Sequence, residues 1–172
     1  MSRWLAPIAA GVLAAALAWH LSLVAAPFAL MRVAMNRLGA SERVNSFSHG
    51  APTRAESQFV VRPSPDLLYS TCAFDASRAP VLVDVPAIAG HYWSVSIFDA
   101  RTDVAAVRSD RDTHGGPARL ALLGPGQAAP AGYDAVPLAH ARGLALIRVL
   151  ISGEADYRAV DPVRQQASCH PA

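Results

Sequence analysis

The stretch AGHYWSVSIFD, residues 89–99, decides the fold. After the Ala89-Gly90 turn, Trp93, Val95 and Ile97 face one way, and Tyr92, Ser94, Ser96 and Phe98 the other. That period of two marks a strand with one face in a core. The same signature recurs on either side. Leu67 to Phe74 alternates, with Leu68, Ser70, Cys72 and Phe74 on one face and Tyr69 and Thr71 on the other. Gln58 to Arg62 is a short β-branched run ended by Pro63-Ser64-Pro65, and Val81 to Val85 is stopped by Pro86. Val104–Val107 and Ala118–Leu123 flank the polar turn RSDRDTHGGP, and Leu144–Ile151 is a last apolar run with Arg148 inside it. Short strands at about ten-residue spacing, punctuated by Pro and Gly, predict a mainly β domain, an antiparallel sandwich or open barrel. The polar segment Glu154–Gln166 predicts a short C-terminal helix, interrupted at Pro162.

The N-terminus obeys different physics. No charged side chain lies between Trp4 and Met31. As a helix this run reaches roughly 40 Å, enough to cross a hydrocarbon core of about 30 Å. It is too long for a signal-peptide core, and the best cleavage site, Val24-Ala25-Ala26, is followed by Pro27. The expectation is a retained transmembrane anchor over residues 1–31 that meets the lipid bilayer through residues 4–31. His20 within it is read as a tolerated neutral side chain. Phe28, Met31, Met35 and Leu38 continue at helical spacing, so the helix is expected to run to 38, stop at Gly39 and pack its apolar stripe under the domain. A linker at 39–56 and a β-rich domain at 57–172 complete the expected organisation.

About 140 of the 172 residues lie beyond Met31, enough for one domain with one core. Every basic residue is Arg, and beyond Met31 14 Arg face 13 acidic residues. The soluble part is therefore near neutral with scattered cations, which argues against nucleic-acid binding. Orientation is contested by the sequence itself. Arg32, Arg37 and Arg43 outnumber Arg3 across the span, which favours a cytoplasmic domain. The signal-anchor arrangement and the two cysteines favour export, and the expectation is a single-pass inner-membrane protein with a periplasmic domain.

Three stretches carry a resemblance: VVRPSPDLLYSTCAFDAS at 60–77, PVLVDVPAIAGHYWSVSIFDARTD at 80–103 and LLGPG at 122–126. Pro63, Asp66, Tyr69, Ser70, Asp75, Pro80, Val81, Val85, Pro86, Gly90, Tyr92 and Asp99 stand where the bacterial domain of unknown function 1254 carries its signature, and Asn45, Phe47 and His49 extend the match upstream. The chain resembles that family over most of 45–165. The resemblance implies a β-sandwich-like fold and an envelope setting, with no known reaction and no catalytic residue to carry over. Similar proteins are often longer, with a second β-rich domain (domain of unknown function 1214). A stand-alone form implies a partner polypeptide carrying that second domain.

Asp66, Tyr69 and Asp99 are the candidate binding residues. Two carboxylates and a phenol hold a cation or move protons if they converge. The competing reading, which is favoured, is structural: strand-end Asp caps turns, and Tyr anchors a sandwich corner. Asp110, Asp112 and His114 read as a solvated hairpin tip. His49, His91 and His140 form a metal site only if the fold assembles them. No GxSxG, phosphate loop or CxxC is present, so no metal or cofactor is expected. In an exported domain Cys72 and Cys169 are expected to pair and pin the C-terminus to the sheet. Closing a loop of about 100 residues is worth up to roughly 4–5 kcal/mol in the chain-entropy model. Unpaired, Cys72 is a small buried apolar residue. The expected function is a membrane-anchored binding or assembly module; the alternative is an envelope hydrolase or metal-dependent enzyme built around Asp66, Tyr69 and Asp99.

Overall fold

The computed structural model describes residues 2–37, 43–53 and 63–172. A 3-10 turn at Ser2–Trp4 leads into helix α1, Leu5–Arg37. Among the described residues nine strands follow: β1 Ser48–His49, β2 Leu67–Asp75, β3 Val81–Val85, β4 Trp93–Asp99, β5 Val104–Ser109, β6 Ala118–Leu123, β7 Asp134–Pro137, β8 Arg142–Leu150 and β9 Ser168–Pro171, with helix α2, Glu154–Arg164, before the last. They form two facing sheets, ordered β1-β2-β8-β4-β5 and β7-β6-β3-β9. The expected run Gln58–Arg62 and the stop at Leu38-Gly39 lie outside the described residues.

The alternation read from residues 89–99 sets the core. Trp93, Val95 and Ile97 are fully buried, facing Val81, Val83 and Val85 of β3 and Leu120 and Leu122 of β6 within one cluster. Strand β8 is the spine of the first sheet, pairing along its whole length with β2 and along most of it with β4. Its second residue must be glycine: a Cβ on Gly143 would lie 2.0 Å from the Phe98 carbonyl oxygen and 2.7 Å from the Phe74 ring. Cys72 on the first sheet and Cys169 on β9 of the second form a disulfide across the core, 97 residues apart in sequence.

The structure departs from the sequence reading in several places. The sheets are antiparallel except where β7 runs parallel to β6. Pro162 does not interrupt α2, which continues to Arg164. A proline so near the helix end costs one backbone hydrogen bond, and burial of Val160 and Arg164 offsets it. The tail at 168–171 adds an edge strand to β3, and its backbone bonds, continued by Ala172 N to the Pro80 carbonyl, fix the C-terminus.

Helix α1 is long and apolar enough to cross a membrane. Leu13 and Trp19 are 71% and 69% exposed, an apolar surface that water does not favour and lipid does. Its last turns behave differently. Met31 is buried against Ala73 and Leu144 on the outer face of the first sheet, and Met35 and Phe98 pack around them. The apolar stripe at the end of the helix thus packs on the domain.

Candidate functional site

Two of the family-signature carboxylates end the two strands, β2 and β4, that flank the start of β8. Asp75 closes β2 opposite Arg142, and Asp99 closes β4 opposite Gly143. Asp75 accepts from Arg142 Nε at 2.8 Å and from the Ser77 backbone N–H at 3.0 Å. Hydrogen bonding to Ser77, then to Arg142, holds its carboxyl below the usual range against the opposing effect of burial. Asn45, in the left-handed region at φ 58°, brackets the same strand end: its Oδ1 accepts from Asp75 N at 2.8 Å.

Asp99 is buried, 1% exposed. Burial alone would raise its pKa, but bonds from His140 and from the backbone N–H groups of Arg101 and Asp103 outweigh it and keep the carboxylate ionised. His140 Nδ1 therefore donates to Asp99 Oδ2, at 2.8 Å, which leaves Nε2 as the ring's acceptor when the imidazole is neutral. The Phe28 ring of α1 stands edge-on to His140, with centroids 5.2 Å apart. The signature Asp99 is thereby linked through His140 to helix α1.

Two open clefts flank Arg142. A smaller one, about 400 Å³, runs between Asn45, Asp75, Arg78 and Pro171. A larger one, about 700 Å³, separates the end of α1 from the domain; Phe28, Met31, Arg32, Met35, Asn36 and Arg142 line it.

The three residues proposed from sequence do not share this site. Tyr69 pairs across β8 at Arg148, while Asp99 sits opposite Gly143, about 17 Å away along the strand. Asp66 precedes Leu67, which pairs with Leu150, and so stands farther still, roughly 26 Å from Asp99. Tyr69 Oη accepts from Ser64 N at 2.9 Å, a corner anchor, and the Asp66 carbonyl accepts from Ile151 N at 2.9 Å while its carboxylate is exposed. The hairpin tip is turn chemistry: Asp112 accepts from the backbone and hydroxyl of Ser109. Among the described residues no three His, Cys, Asp or Glu side chains converge on a metal position, so His49, His91 and His140 stay apart.

The opposite end holds a cluster that sequence reasoning missed. Arg164 of α2 is 1% exposed. Its guanidinium donates to Tyr69 O at 2.8 Å, Ser70 Oγ at 3.1 Å, Gly50 O at 3.0 Å and twice to Asp161, using all five of its N–H groups. Ser70 Oγ, accepting from Arg164, is also hydrogen-bonded to His49 Nδ1 at 2.9 Å. Burial first, and then the Arg164 charge, push the His49 pKa below 6.5. The signal was present as Asp161 three residues before Arg164, an i,i+3 pair on a helix that otherwise buries Val160.

Comparison with known proteins adds the family and the fold. No curated protein matches the chain. The VPA0106 protein from Vibrio parahaemolyticus shares the fold with a TM-score of 0.67 at 16% identity, over 84% of this chain and 34% of that one. A putative uncharacterized protein from Burkholderia cenocepacia matches with a TM-score of 0.50 at 10% identity, over 78% and 36%. The chain thus spans about a third of the length of these solved proteins. The model of the family described as "Protein of unknown function (DUF1254)" matches residues 44–171, and the chain belongs to that family.

Proposed function

We propose that the protein is a single-pass, membrane-anchored binding module of the bacterial envelope, with its β-sandwich in the periplasm and a partner polypeptide carrying a second β-rich domain. One observation carries the binding role: strand β5 is an open edge. Among the described residues it pairs only with β4, and Val104 and Val107 are 58% and 46% exposed. It holds no Lys and no Pro, the residues that blunt such edges, and only Arg108 near its end. An unpaired apolar edge is a template for strand addition by another chain. In both solved relatives the shared fold is about a third of the chain, which supports a seat beside further structure. The periplasmic setting draws support from the buried disulfide.

Full-length protein in detergent and the purified second-domain protein are expected to associate at micromolar concentration, with Ala106→Pro on β5 abolishing the complex. No association, or equal association by the variant, contradicts the module.

The enzyme reading survives in one form. Asp99 orients His140 as a carboxylate orients a general base, beside the larger cleft. Ester hydrolysis by the full chain that His140→Gln abolishes would favour it; activity unchanged in that variant removes it.

A further inference from the structure

We infer that the cleft between the end of α1 and the sheet is a headgroup site for an anionic phospholipid, with Arg32 and Arg142 taking the phosphate. The inference rests on the anchored reading above.

Depth is the first argument. If the hydrocarbon core begins at Leu5 and takes about 20 residues, it ends near Val24. At 1.5 Å per residue, Phe28 then stands about 6 Å beyond it and Arg32 about 12 Å, at and just outside the headgroup layer. The cleft opens at that level, and one of its walls is the crossing helix itself.

Its chemistry is divided to match. Phe28, Met31 and Met35 make an apolar side, while Arg32, Asn36 and Arg142 supply donors. No carboxylate lines it among the described residues. Asp75 holds Arg142 through Nε, from the side of the smaller cleft, so the two terminal guanidinium nitrogens have no hydrogen-bond partner among the described residues. A guanidinium fixed through Nε presents those nitrogens to a phosphate's oxygens. Arg32 is exposed and adds a full charge. A free phosphate uses only the donors. A phospholipid uses the apolar side as well, for its glycerol and first methylenes, and reaches it without leaving the bilayer. The volume, about 700 Å³, is ample for a headgroup. This also gives Arg32, one of the three Arg after the span, a role on either side of a membrane, which lessens the conflict between their number and an exported domain.

The test is thermal unfolding of the full chain in neutral detergent micelles, titrated separately with phosphatidylglycerol, phosphatidylcholine and inorganic phosphate. Phosphatidylglycerol is expected to raise the midpoint saturably at about one lipid per chain. Arg32→Gln, which breaks no hydrogen bond or ion pair among the described residues, is expected to need at least tenfold more lipid, as is Arg142→Gln; Arg158→Gln on distant α2 should respond as wild type. An equal response to phosphatidylcholine, the whole response with inorganic phosphate alone, or unchanged titration of Arg32→Gln overturns the site. Carbonate extraction separates this failure from failure of the anchor. A chain that stays in the membrane pellet yet shows no lipid response refutes the headgroup site only, and a chain released into the wash refutes both.

Discussion

Removing the Arg164 side chain should be among the most damaging single changes to this domain. Arg164→Ala removes the Arg164 donors from Gly50 O, Ser70 Oγ and Tyr69 O, of which Tyr69 O keeps the Gly50 N–H at 3.0 Å, and it leaves Asp161 without its cation. Each buried acceptor left unsatisfied costs about 1–3 kcal/mol, and losing one partner of a buried ion pair costs about 3–5 kcal/mol. These terms overlap because one carbonyl can recruit water once the side chain is gone. The expected loss is therefore about 4 kcal/mol rather than their sum. For a domain of this size that lowers Tm by on the order of 10–15 °C. Arg164→Lys keeps the charge but offers three donors from one point, so it should recover about half. Urea unfolding of the full chain in micelles, followed by near-ultraviolet circular dichroism of the buried Trp93, reads both. A loss under 1 kcal/mol for Arg164→Ala, or Lys no better than Ala, would refute the claim that the five-donor cluster clamps α2 to the sheet edge.

Two further outcomes follow from the same geometry. Gly143→Ala should cost about 3 kcal/mol, because its Cβ meets the Phe98 backbone, which cannot rotate away; unfolding within 1 kcal/mol of wild type would mean that β4 and β8 are not so closely apposed. His49 is held neutral, with a folded pKa below its ordinary 6.5, so the unfolded chain binds the extra proton first. Stability should be full above pH 6.5 and fall as pH drops below it, and His49→Gln should flatten that slope; the depressed Asp75, Asp99 and Asp161 lose their contribution only below their ordinary 3.8, a separate window. An identical slope between pH 6.5 and 4.5 in the variant would contradict the assignment.

Local signals were legible and long-range ones were not. The alternation at Trp93, Val95 and Ile97 named core residues correctly because a strand's period needs no partner to be seen. The stripe Phe28, Met31 and Met35 was equally readable, and the structure packs Met31 and Met35 on the sheet and sets Phe28 against His140. Asp99 and His140, by contrast, are 41 residues apart, and only the β4–β8 register brings them together. The same register parts Asp66 and Tyr69 from Asp99, although all three look equivalent as polar residues at strand ends. Arg164 sits in a segment that reads as solvated; its one local signal, Asp161 three residues before it, does not separate it from Arg158, whose pair with Glu154 on the same helix is exposed. The tail at 168–171 lacks β-branched residues and becomes a strand because the edge of β3 is there to receive it.

An anchored, exported domain stapled by Cys72–Cys169 is tested most directly by thiol labelling in intact and permeabilised cells. Both sulfurs sit in a buried bridge, with Cys72 0% and Cys169 5% exposed. Labelling is expected only after denaturation and reduction, together with cleavage of the domain by protease added to the periplasm. Thiols that label on denaturation without reductant, in a domain that protease reaches only after the inner membrane is permeabilised, would place it in the cytoplasm and contradict the account.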